Sequence, residues 1–160
     1  MGDTREFSLP VRLLLKAYPW HRIDPVPWAP LRKPLRECRV ALGSSAGFSL
    51  PDQEPFDDAA KGGDPSFRWV SGHADPRRFV ENHRSESFDH TGIQQDANLA
   101  FPLDRLRELQ REGRIGQVAP RHLSFMGSIT APGRLIRETA PAAVEALVED
   151  QVDLALLVPV

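Results

Sequence analysis

The chain has 160 residues, with 20 Lys and Arg against 22 Asp and Glu and a formal net charge of -2. That length predicts one domain, or one domain with an arm, and the near-neutral balance excludes a strongly basic nucleic-acid binder. At 41% hydrophobic and 26% charged residues the composition is globular, and the one cysteine excludes a disulfide framework or a zinc site built on several thiolates.

The start, MGDTREFSLPVRLLLKAYPW, has acids among its first residues and only a few consecutive apolar ones. It lacks the long apolar stretch and small-residue cleavage site of a secretory signal, and Glu6 stands where N-myristoylation wants Ser or Thr. No apolar run is long enough to span a bilayer, so a cytoplasmic protein with no membrane contact is expected. Residues 1–37 read as an arm, because Pro19, Pro25, Pro27, Pro30 and Pro34 crowd one stretch around Trp20 and Trp28. Proline fixes φ and removes a backbone donor, so neither a long helix nor a central strand fits. The aromatics want burial, which predicts an extended segment lying against the domain; a proline-rich ligand is the functional alternative.

The domain proper, 38–160, opens with CRVALGSSAGFSL: a short apolar strand followed by a small-residue turn from Gly43 to Gly47. Phe67, Trp69 and Val70 predict a second short strand, and residues 73–98 read as mostly loop. AFPLDRLRELQREGRIG is the clearest helix, with Pro102 in the first turn, Leu103, Leu106 and Leu109 at helical spacing and Gly113 at the C-terminal cap. IGQVAPRHLSFMG predicts a strand broken by Pro120 and leading into a loop. TAPAAVEALVEDQ reads as a second helix, with Thr139 as N-cap and Pro141 in its first turn. VDLALLVPV is nearly continuous in apolar residues, the pattern of a parallel strand covered on both faces inside an α/β sheet. The fold class is therefore α/β, an open and mostly parallel sheet with flanking helices. Two readings of that last strand stay open: one that ends the fold, or one whose C-terminal continuation, with its functional loop, is missing.

Ligands of open parallel sheets sit at the carboxyl ends of the strands. Ser44, Ser45 and Gly47 fall at the first such end, and His122 and Ser124 at a later one, so these five are the candidate substrate-lining residues. The Gly43–Gly47 loop is either an anion cradle or a structural turn; it lacks the glycine spacing of a nucleotide loop and the Lys of a P-loop. His73, His83 and His90 with Asp75 and Asp89 suggest metal binding only loosely, because no ligand spacing supports it, and a solvated loop is the alternative. No metal site is therefore assigned. Cys38 opens an apolar strand far from the carboxyl-end crevice and reads as a core residue. The helix charges Asp104, Arg105, Arg107, Glu108, Arg111, Glu112 and Arg114 read as a solvated face with ion pairs. No catalytic constellation is visible in the chain.

Three stretches carry a resemblance: GDPSFRWV (63–70), FPLDRLRELQREGRIGQVAPRHLSFMG (101–127) and VDLALLVPV (152–160), with RVALGSSAG (39–47) in support. They resemble the selenoprotein B subunits of the glycine, sarcosine, betaine and D-proline reductases, nearest in length and layout to the short D-proline reductase subunit. The resemblance implies an oxidoreductase subunit that cleaves a C–N bond of an amino acid or amine reductively, with a dithiol or thioredoxin-like donor. It implies a partner subunit carrying a pyruvoyl group, and an active-site selenocysteine directly after the segment resembling VDLALLVPV, with a cysteine a few residues later. On that reading the catalytic residue is position 161, its UGA codon was read as a stop, and the 160-residue chain is inactive alone. A non-catalytic α/β module binding a small molecule or a protein is the competing class, and a homo-oligomer stays open.

Overall fold

In the computed structural model the described residues are 7–18, 22–85 and 90–160. They divide into two units, residues 1–30 and 31–160. In the first, helix α1 (Leu9–Ala17) has Pro10 in its opening turn. The sequence predicts an extended arm here. A helix forms instead because Pro10 suits its first turn and the residues after it, VRLLLKA, are mostly good helix formers. Trp28 is 82% exposed, against the expected burial, and Trp20 lies outside the described residues.

The second unit is built on a mixed sheet. Its strands are β1 (Arg39–Ser44), β3 (Phe67–Ser71), β5 (Gln117–Val118), β6 (Arg121–Phe125) and β7 (Leu154–Val158), while β2 (Phe48–Ser49) and β4 (Val80–Glu81) form a separate antiparallel pair. β1 is central. β5 and β6 run parallel to it on one side and β7 on the other, and β3 lies antiparallel on the far side of β6. Where the sequence reading expects mostly loop over 73–98, the described residues hold short elements joined by loops: a 3-10 turn at Pro76–Arg78, β4, helix α2 (Thr91–Gln95) and the start of a second 3-10 turn at Ala97–Leu99. Among the described residues no helix is long and apolar enough to cross a membrane.

Helix α3 (Leu103–Arg111) buries Leu103 and Leu106 and ends, as its sequence predicts, at Gly113, whose φ of 68° is cheap only for glycine. Those leucines join Val40 and Leu42 of β1, Phe48, Val70, Ile93 and Phe101 in one apolar cluster. At about 1.5–3 kcal/mol per fully buried large apolar side chain, this cluster is the main source of stability. The charges of α3 form the expected ion pairs, Arg105–Glu108 at 2.9 Å and Arg107–Asp104 at 2.8 Å. Arg107 also donates to the carbonyl oxygens of Gly72 and Ala74 at 2.8 and 2.6 Å, tying the helix to the turn after β3.

Helix α4 (Ala140–Glu149) follows a π-helical turn, Leu135–Thr139. Thr139 is helical and makes no side-chain cap, so it does not start the helix as the sequence reading expects. The reason is Pro141: lacking an N–H, it interrupts the ordinary ladder, and the wider turn before it carries the helix through. Arg121 points to the face of β6 opposite His122, where its guanidinium pairs with Asp150 at 2.6 Å, so the end of α4 lies on that face.

β7 departs from its sequence pattern. It is parallel, as expected, but it is an edge strand rather than an interior one, pairing with β1 alone among the described residues. Leu156 is 43% and Leu157 71% exposed, whereas α3 buries its leucines against β1 and leaves β7 open.

Candidate functional site at the carboxyl edge of the sheet

The β5–β6 segment carries two more residues than β1 between the pairs Val40↔Val118 and Gly43↔Leu123. The excess is taken up at Ala119–Pro120, where proline cannot donate to a ladder. The interruption leaves the Leu42 N–H without a backbone acceptor, and His122 Nδ1 accepts it at 3.0 Å. This fixes the tautomer with its proton on Nε2. The ring is fully buried, edge-on to Phe101 at 6.2 Å, and burial lowers its pKa to about 4, with the nearby Arg107 charge acting in the same direction. His122 is thus a neutral plug in the sheet.

Ser44 and Ser124 are register partners on β1 and β6, and both are buried. The Ser44 hydroxyl accepts the Ala46 N–H at 3.2 Å and shapes the turn, while Ser124 Oγ and His122 Nε2 have no hydrogen-bond partner among the described residues. Ser45 lies one residue further, at the rim. Its N–H donates to the Val158 carbonyl at 3.1 Å, its hydroxyl oxygen accepts the Val160 N–H at 2.9 Å, and its hydroxyl reaches the Val160 carbonyl at 3.4 Å. The candidate residues therefore separate into a buried set (Ser44, Gly47, His122, Ser124) and the half-buried Ser45 at the rim.

Gly47, at φ 67°, donates to the Phe125 carbonyl at 2.8 Å and accepts the Asn82 N–H at 2.9 Å, joining the ends of β6 and β4. Gly127, at φ 68°, completes the knot: a Cβ there would lie 2.6 Å from His83 Nε2 and would collide with the Ser45 carbonyl oxygen. His83 is therefore gripped between two glycine turns. Its burial lowers its pKa against the opposing pull of Glu81, so at neutral pH it is neutral. Beside it, Glu81 Oε1 accepts the His83 backbone N–H at 2.9 Å and faces His90 Nδ1 at 3.0 Å, while His90 Nε2 faces the Ser85 carbonyl at 2.7 Å. Both ring nitrogens of His90 therefore lie within hydrogen-bond distance of an oxygen, which ties the ring to Glu81 on one side and to the Ser85 backbone on the other. Sequence reasoning groups His83 and His90 with His73, Asp75 and Asp89 as a loose metal candidate or a solvated loop, and misses Glu81. Nothing local marks that carboxylate, whose role comes from the loop folding back.

The other members of that loop go elsewhere. Asp75 caps the turn at Pro76–Arg78 and pairs with Arg77 at 2.9 Å, His73 is exposed after β3, and Asp89 lies outside the described residues. Among the described residues no group of three His, Cys, Asp or Glu side chains is placed to hold a metal ion. Cys38 is buried at the amino end of β1, its thiol 3.4 Å from the Pro34 carbonyl. A groove of about 900 Å³ opens at the amino ends of β1 and β5, but its arginines are engaged: Arg39 with Gln117 at 2.7 Å, Arg105 and Arg107 as above. The carboxyl edge is thus the better-built site, with neutral His83, the Glu81–His90 pair and a hydroxyl holding the end of β7. It contains no nucleophile paired with a base.

Comparison with known proteins agrees with the resemblance drawn from the motifs. Residues 15–159 match the family described as glycine/sarcosine/betaine reductase selenoprotein B. D-proline reductase subunit gamma of Acetoanaerobium sticklandii is 35% identical over 84% of this chain and 54% of its own length. Glycine reductase complex component B subunit gamma of Symbiobacterium thermophilum is 30% identical over 98% of this chain and 37% of its own length. Sarcosine reductase complex component B subunit beta of Peptoclostridium acidaminophilum is 31% identical over 88% of this chain and 32% of its own length. No solved structure matches. The chain spans about half or less of these relatives, 54%, 37% and 32% of their lengths. With residues 15–159 matched, the chain belongs to the glycine/sarcosine/betaine reductase selenoprotein B family.

Proposed function

We propose that this chain is the amino-terminal part of a reductase B-type subunit, one that cleaves the C–N bond of an amino acid or amine reductively. Its reactive selenocysteine would directly follow Val160. The reaction balances as a two-electron step: the C–N bond is replaced by a C–H and an N–H bond while a dithiol is oxidised to a disulfide. Selenium supplies a soft, readily ionised nucleophile, which a thioredoxin-like or other dithiol donor restores by exchange. A partner subunit bearing a pyruvoyl group would bind the substrate amine, in the cytoplasm.

The observation that carries this reading is the geometry of β7. A parallel strand of apolar residues, open to solvent, is led by β1 to the carboxyl edge and held there by Ser45. That edge is where open α/β sheets place their chemistry, and an exposed apolar strand edge is ordinarily covered. The residues present fit such a group. Ser45 orients the backbone at Val160, and the Gly47–His83–Gly127 knot makes a rigid rim beside Ser45. Ser44, His122 and Ser124 support that rim from below rather than meeting solvent.

The test is the nucleotide sequence after the Val160 codon. A TGA followed by an open frame with a nearby cysteine, and one selenium per chain in a host that inserts selenocysteine, are expected. A TAA or TAG codon, or no open frame beyond, overturns the proposal.

A further inference from the structure

Ser45 and Val160 are 115 residues apart in sequence, yet the serine side chain meets both backbone polar groups of that valine, the N–H at 2.9 Å and the carbonyl at 3.4 Å. The next link is also made: the Ser45 N–H holds the Val158 carbonyl at 3.1 Å. Ladder pairing between β1 and β7 ends at Ser44↔Val158, so beyond it the Ser45 backbone bond to Val158 and these side-chain contacts continue the register. The Ser45 carbonyl is in turn packed against Gly127, so the serine is anchored from behind by the knot around His83. A hydroxyl, both donor and acceptor, is the group needed to meet an N–H and a C=O of one residue.

We infer that Ser45 is a positioning residue, a side-chain clamp that fixes the backbone of Val160 and so sets where the following, reactive residue leaves the sheet. This rests on the proposed function above. Its role is geometric: displacement of a reacting group by about an ångström costs up to a hundredfold in rate.

The gene is expressed with its downstream frame in a selenocysteine-inserting host, as the natural chain, Ser45→Ala, Ser45→Thr and Ser45→Val. Threonine keeps the hydroxyl, and valine is its isostere without one. About one selenium per chain is expected throughout; none in the natural chain overturns the proposed function and this inference with it. With selenium present, the natural chain and Ser45→Thr are expected to share one narrow selenium NMR resonance. In Ser45→Ala and Ser45→Val that resonance broadens or moves, and the Val160 amide exchanges roughly tenfold faster, as loss of one hydrogen bond implies. Melting temperature and the protection of the β1 amides stay unchanged. Two results overturn the inference and leave the proposed function standing: an unmoved resonance and Val160 exchange rate in both hydroxyl-free variants, or a Ser45→Thr chain that behaves like them.

Discussion

His122 makes the chain sensitive to mild acid. Folded, its pKa is lowered to about 4 by burial; unfolded, it returns to the ordinary value of 6.5. Between those values the unfolded chain takes up a proton that the native chain refuses, so stability falls as the pH drops through that window. Above about pH 6.5 the contribution is fully present, and below about pH 4 no more is lost. Linkage puts the loss between about pH 7 and about pH 4.5 at about 2.5 kcal/mol, a large share of a small domain's stability. His122→Asn isolates the effect, because the Asn carbonyl oxygen replaces Nδ1 as acceptor for the Leu42 N–H and does not titrate. Urea denaturation of both proteins at several pH values is the assay. The natural protein is expected to lose about 2.5 kcal/mol more than His122→Asn over that interval. Parallel stability curves would refute the assignment of His122 as a buried neutral plug.

Four further substitutions have expected outcomes. Gly127→Ala, which drives a Cβ against His83 and the Ser45 carbonyl oxygen at φ 68°, is expected to cost about 2 kcal/mol or more by chemical denaturation. Gly113→Ala, at the same φ with open space around it, is expected to cost only about 1 kcal/mol. Phe101→Ala, which empties a fully buried site shared with Phe79 and His122, is expected to lower stability by about 3–5 kcal/mol, read as a drop in melting temperature. Leu157→Ser is expected to change the stability of the 160-residue chain by less than about 0.5 kcal/mol, since its side chain is exposed. In a longer chain that covers β7, the same change would cost about 2 kcal/mol or more, so comparing the two lengths tests the open edge.

Local chemistry makes several elements legible in the sequence. The spacing of Leu103, Leu106 and Leu109 with Gly113 behind it predicts α3, whose body is helical over Leu103–Arg111. Apolar runs at 38–42, 67–70 and 152–160 predict strands, and β1 (Arg39–Ser44), β3 (Phe67–Ser71) and β7 (Leu154–Val158) form on them. The burial of Cys38 follows from its place at the head of an apolar strand. Thr139 is misleading, because capping preferences assume that a helix begins where its best cap stands, and the π turn before Pro141 removes that condition. β7 is half legible: an unbroken apolar run marks a strand beside parallel neighbours, but composition does not say how many neighbours it has.

The sequence by itself determined the family, the α/β class and the chain positions of the central strands and of α3, because these follow from propensity, periodicity and motifs carried by neighbouring residues. Only the tertiary structure decided which polar groups meet. The clamp of Ser45 on Val160 spans 115 residues, and the contact of His122 with Leu42 exists only because a strand register slips at Ala119–Pro120. The grip of Gly47 and Gly127 on His83, and the pairing of Glu81 with His90, arise where three turns converge. Such contacts depend on register and on the path of loops through space, and these are set by the whole packed sheet rather than by any local run of residues.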